Sequence, residues 1–159
     1  MKIAALVPGM GLLATAALAA GDAGYVAQPI PGAGRWVIEI TLPGNPGRAC
    51  TARLSGKQID TVLLLNNDGK LVLIGGHPDW SIGIRDAEYA LSIDGENPIK
   101  MKATLLDNLF MSPVFDEAMT TRLSKAKTLD WNFPTGHIRN DVIGLGITLK
   151  AMRKCKAGA

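Results

Sequence analysis

His77 and His137 are the two imidazoles of this 159-residue chain, and both fall in turns. His77 precedes Pro78-Asp79, and His137 follows Gly136. His77, Asp79 and Ser81 are the residue types of nucleophilic hydrolysis, and two histidines beside a carboxylate are the types of a metal site. Both patterns are incomplete. A nucleophile needs a base within hydrogen-bond reach and a third group that orients the base. Three such residues packed within five positions do not easily converge, because residues two apart on a strand stand about 7 Å from one another. The G-x-S-x-G elbow is absent, and zinc takes three or four protein ligands. We assign no catalytic residue, no metal ligand and no cofactor. His77, Asp79, Trp80 and His137 are kept as candidate interaction residues.

Other signatures appear only as fragments. Asp60-Thr61 and Asp94-Gly95 each match part of the Asp-Thr/Ser-Gly triplet of aspartic proteases. Asp94 reads as a turn residue that bonds its own backbone. Gly144 and Gly146 form a G-x-G without a third glycine or a βαβ setting, which excludes a dinucleotide site. The charge asymmetry lies at the C-terminus, where Arg139, Lys150, Arg153, Lys154 and Lys156 outnumber Asp141. Such a cluster suits an anionic envelope surface or an acidic partner, or it complements a helix C-terminus. Arg153 and Lys154 join the candidate interaction residues.

The first residues place these side chains in a compartment. Lys2 precedes an apolar run over 3–18, and Ala17-Leu18-Ala19 fits a leader-peptidase site. We read 1–19 as a signal peptide. Pro8, Gly9, Gly11 and the alanines make it a poor membrane span, and no cysteine follows it to carry a lipid. No stable span is expected after cleavage, and the location is periplasmic or secreted. Loss of Lys2 lowers the formal charge from +3 to +2, too mild a balance for nucleic-acid binding. Cys50 and Cys155 form an even count in an exported chain, which argues for one disulfide. Two free buried thiols are the alternative, and a redox pair lacks the C-x-x-C spacing.

The elements that position these residues are mostly strands. Residues 20–34, rich in glycine, proline and alanine, read as a flexible leader segment, followed by one domain over 35–156. Over 35–42, Trp36, Ile38, Ile40 and Leu42 alternate with polar residues, as a half-buried strand does. Residues 49–54 repeat the pattern and turn Cys50 inward. At 59–76 two apolar runs flank Asn66-Asn67-Asp68-Gly69, a strong hairpin signal at the centre of the sheet with both faces covered. Strands follow at 80–84, 88–94 and 99–105. Their spacing of about ten residues indicates an antiparallel meander or sandwich.

The period then changes. Ser112 as N-cap, Pro113, Asp116 and Glu117 open an amphipathic helix over 113–126. A strand is expected at 128–133, a short strand at 138–143 and a helix at 145–154 that carries Cys155 back to Cys50. The fold class is α+β, mainly antiparallel β.

The order of features has a likeness. Arg-Trp-Val-Ile-Glu-Ile opens a strand at Arg35, and a cysteine-bearing strand follows. Then come Tyr-Ala-Leu-Ser-Ile-Asp-Gly, Phe-Asp-Glu-Ala-Met and a closing Gly-Ile-Thr-Leu-Lys-Ala-Met-Arg-Lys-Cys. This resembles the small periplasmic proteins of the invasion-associated locus B type over roughly 35–155. The resemblance implies a β-rich envelope domain linked to host interaction or envelope function, and it carries no catalytic residues. The expectation is therefore a non-enzymatic exported protein that binds a protein or envelope component. Hydrolase inhibition through 43–47 or 77–80 is one version of it. The rivals are an exported hydrolase using His77 or His137, and a carrier of a small apolar ligand between the sheet and the 113–126 helix.

Overall fold

The computed structural model describes residues 25–41, 50–77, 83–133 and 136–158. Among these, ten strands form one antiparallel sheet. The first five follow chain order: β1 Tyr25–Pro29, β2 Val37–Thr41, β3 Cys50–Leu54, β4 Asp60–Leu65 and β5 Leu71–Gly76. The next three, β6 Ile84–Ile93, β7 Ile99–Leu106 and β8 Leu109–Met111, are laid down in reverse. β8 therefore pairs with β5, and β6 pairs with β9 Thr128–Phe133. β10 Gly136–Asp141 forms the far edge beside β9. Helix α1 Glu117–Ser124 lies between β8 and β9 in sequence, and α2 Leu145–Ala157 follows β10.

The sheet rolls on itself. Asn140 of β10 donates from Nδ2 to Thr61 Oγ1 of β4 at 2.7 Å, although the two strands are six places apart in the sheet order. The rolled interior holds the core, including Trp36, Leu54, Leu63, Leu73, Leu91 and Trp131. Its centre is aromatic, with the Phe110 and Trp131 ring centroids 4.8 Å apart and Tyr89 5.7 Å from Trp131. Burial pushes the Tyr89 hydroxyl pKa well above its ordinary value. Gly75 makes room for this cluster. A Cβ there would sit 2.5 Å from Phe110 Cζ and 2.7 Å from Ile59 Cδ1.

The 59–76 hairpin lies at the middle of the sheet order. Gly69 takes φ 76, its N–H donates to Asn66 O at 2.9 Å, and Asn66 Oδ1 accepts from Lys70 N at 2.9 Å. The two strands differ in coverage. Leu71, Val72 and Leu73 are all buried, whereas Val62 and Leu64 on the outer side of β4 are only half-buried.

Helix α2 packs its buried Leu145, Leu149 and Met152 inward. The Cys50–Cys155 disulfide joins its last turns to β3, with the Cα atoms 6.1 Å apart. Lys156 Nζ donates to the Asn66 and Asn67 carbonyls, tying the same helix to the central hairpin turn. Among the described residues no helix is long and apolar enough to cross a membrane.

Three expectations need correction. From residue 25 on, the 20–34 segment is structure and not a flexible leader. β1 pairs with β2, and Ile30 and Ala33 are buried. Gly32 and Gly34 take φ 77 and 68 in the turn between these strands, so the glycines serve a hairpin and not a linker. The helix expected over 113–126 starts later. Asp116 is its N-cap and accepts from Met119 N at 2.7 Å. Ser112 instead serves β5: its N–H donates to Leu73 O at 2.8 Å, and its hydroxyl accepts from Leu73 N at 2.9 Å. The short β8 was not expected at all, because three residues show no period. The 80–84 strand lies largely outside the described residues, and β6 starts at Ile84 and runs unbroken through the 88–94 stretch.

Candidate functional site

The two helices run antiparallel and leave a groove of about 400 Å³ between them. They touch at one end, where a Cβ on Gly146 would collide with the Ser124 carbonyl. At the other end Arg153 Nη2 lies 3.4 Å from Glu117 Oε1. Thr120 and Ser124 line it together with Ile143 and Ile147, which are 65% and 44% exposed. Lys125, Lys127, Lys150 and Arg153 surround it, against the one carboxylate of Glu117.

Local sequence explains the arrangement. Lys125 and Lys127 follow the end of α1, where cations suit the helix dipole. Lys150 and Arg153 stand three apart on α2 and share a face. Gly144, at φ 91, starts α2 against the backbone of Ala33, which lifts Ile143 out of the fold. The groove joins apolar contact to positive charge and has the composition of a docking surface for an anionic partner.

The histidines lie elsewhere and in different places. His77 follows β5, its N–H donates to Asn108 O at 3.2 Å, and it borders a depression of about 310 Å³ with Arg53, Asp60 and Leu109. His137 is on β10, five places from β5 in the sheet order. Its Nε2 is 3.1 Å from Asp130 Oδ1, and Arg139 Nε approaches the same oxygen at 3.9 Å. Ser92 is the register partner of Asp130 across β6 and β9. The carboxylate thus holds the imidazole from one side and faces the serine strand on the other. In a nucleophilic relay the imidazole stands between the other two groups, so this cluster orients a histidine without making it a base for Ser92. Among the described residues no three His, Cys, Asp or Glu side chains gather to hold a metal.

The remaining candidates divide. Arg153 lines the groove, while Lys154 is exposed and outside it. Cys50 and Cys155 are the disulfide. Asp79 and Trp80, with Ser81 and the 43–47 loop, lie outside the described residues. Asp60 and Asp94 both serve the backbone. Asp60 Oδ1 accepts from Gly56 N at 3.1 Å, and Asp94 Oδ1 accepts from Lys127 N and Thr128 N, each at 2.8 Å. The Asp94 side chain therefore braces the start of β9, while its backbone, at φ 51, turns the chain between β6 and β7. Burial works to raise its pKa, but the Thr128 and Lys127 N–H donors, the Thr128 hydroxyl and the Lys127 charge together lower it. Sequence reasoning found the α2 half of the cationic groove. Lys125, Lys127, Ile143 and Ile147 escaped it, because pairing of the helices is a tertiary fact.

No protein-family model matches the chain, and no curated protein matches it. Its structure is similar to the crystal structure of invasion associated protein B from Bartonella henselae, with a TM-score of 0.57 and 14% identity. The likeness covers 83% of this chain and 99% of that chain. It shows a common fold, in line with the resemblance read from the residues.

Proposed function

We propose that this protein is exported and works by binding: it is an envelope or secreted protein whose α1–α2 groove receives a protein or cell-envelope partner. The observation that carries this reading is the groove itself, with four cations against one carboxylate around exposed isoleucines. The Cys50–Cys155 cross-link supports the export side, because disulfides persist in oxidising compartments. The similar fold belongs to a protein named for invasion, and host interaction and hydrolase inhibition are narrower forms of the same proposal.

Site-specific photo-crosslinking tests it. A photoreactive residue at Thr121, on the groove, is carried by the exported full chain in its producing cell. A discrete adduct is expected, lost in Lys150→Glu/Arg153→Glu and absent when the probe replaces Lys100 on β7. No adduct at Thr121, or one indifferent to charge reversal, refutes the reading.

A further inference from the structure

The cationic surface does not end at the groove. Residues 142–144 join β10 to α2 as a crest held by backbone on both sides. Val142 beneath it is fully buried, and its N–H donates to Lys127 O at 2.7 Å. On the other flank, a Cβ on Gly34 would stand 3.5 Å from Ile143 O. The Ile143 side chain is largely exposed. Beyond the crest, next to Gly34, lies a second depression of about 600 Å³, lined by Arg35, Lys57, Arg139, Asn140 and Asp141.

The crest therefore separates two basic depressions. Lys125, Lys127, Lys150 and Arg153 stand on one side, and Arg35, Lys57 and Arg139 on the other. Against these seven cations stand two lining carboxylates, Glu117 and Asp141. The other described residues carry eight Lys and Arg against ten Asp and Glu. Among the described residues the positive charge is therefore concentrated on this surface, and the remainder is slightly acidic.

We propose that this surface seats the protein on an anionic phospholipid bilayer. Ile143 and Ile147 enter the interface, and the flanking cations lie over the headgroup phosphates. The inference rests on the binding reading above and goes on to name the partner as lipid. Shape favours a bilayer over an acidic protein. Ile143 stands on the crest and Ile147 beside it on α2, and the charge lies on both sides of the crest. A plane of phosphates meets both sides at once, whereas an acidic segment seated in the helix groove leaves Arg35, Lys57 and Arg139 unused. Apolar insertion flanked by Lys and Arg is the chemistry of peripheral attachment. Each cation near an anionic leaflet raises partitioning about five-fold. Reversing one changes two charge units, or roughly 30-fold.

Vesicle sedimentation with the oxidised chain after removal of the 1–19 leader tests this. The probes are vesicles of phosphatidylcholine with one quarter phosphatidylglycerol, vesicles of phosphatidylcholine alone, and a ten-residue oligoglutamate. Binding is expected to the anionic vesicles only, and to be lost at high salt. Lys150→Glu and Lys57→Glu, on opposite sides of the crest, should each weaken it about 30-fold, and Ile143→Asp should weaken it at least ten-fold. Lys100→Glu, at an exposed position of β7, should change it less than three-fold. Circular dichroism on every variant confirms the fold. Absence of binding to the anionic vesicles, equal loss in Lys100→Glu, or tighter binding to oligoglutamate than to vesicles overturns the inference. If vesicles fail while the Thr121 adduct still forms and depends on charge, the lipid assignment falls and the binding reading stands. If both fail, both fall.

Discussion

Opening the Cys50–Cys155 disulfide should cost a large share of this domain's margin of stability. The cross-linked residues are 105 positions apart. In the chain-entropy model a loop of that length removes about 16 cal/mol/K from the unfolded chain, or ~4.8 kcal/mol at 25 °C. That is a ceiling, since a compact denatured chain has less freedom to lose. The native structure has other anchors for α2. Leu149 and Met152 are buried beneath it, and Lys156 holds the hairpin turn. We expect Cys50→Ala/Cys155→Ala to remain folded and to lose ~2.5–4.8 kcal/mol. The span 25–158 has an unfolding entropy of roughly 280 cal/mol/K, so this is a fall in Tm of roughly 9–17 °C. Urea unfolding followed by the fluorescence of buried Trp36 and Trp131 reads the free energy, and the slope m should rise because the open chain exposes more surface. Wild-type protein held in reductant keeps both sulfurs in place and should match the double variant within about 1 kcal/mol. A loss under ~1 kcal/mol refutes the reasoning. So does a loss confined to the variant with m unchanged, which would locate the effect in native packing.

Gly75→Ala puts a methyl into the space of the Phe110 ring, so thermal unfolding should show a loss of ~1–3 kcal/mol, and an unchanged Tm would mean that β8 lies elsewhere. Thr61→Val removes the acceptor of the Asn140 amide in a buried setting, with an expected cost of ~1–3 kcal/mol in urea unfolding. Pairing it with Asn140→Leu should recover part of that cost, and simple additivity of the two would argue against the contact. Asp94 has a lowered folded pKa, so its ionised form contributes stability above the unfolded carboxylate pKa. That contribution is lost as pH falls through the lowered folded value. The stability gap between wild type and Asp94→Asn should therefore be widest near neutral pH and close in acid, and a gap independent of pH between 2 and 6 would contradict the assignment.

Strands with alternation were legible in the sequence because one face must be apolar over several residues. The stretch 35–42 and the Cys50 strand are of this kind, and the phase that turned Cys50 inward also placed it for the disulfide. What escaped was decided by partners distant in sequence. Ser112 has the chemistry of a helix cap, but β5 offers its hydroxyl a buried N–H and takes it. Gly32 and Gly34 look like linker residues until Ala33 is seen beneath Gly144. At the site, the individual charges of α2 were visible, while their pairing with Lys125 and Lys127 depended on the approach of Gly146 to Ser124.

The reversed placement of β6, β7 and β8 bears on how the polypeptide assembles as it is synthesised. The five strands up to residue 76 can zip together in order as they emerge, but the outer edge of β5 then stays bare until residues 109–111 arrive. A nascent chain paused within that interval presents Leu71–Gly76 as an unpaired apolar ribbon, which is where self-association would begin.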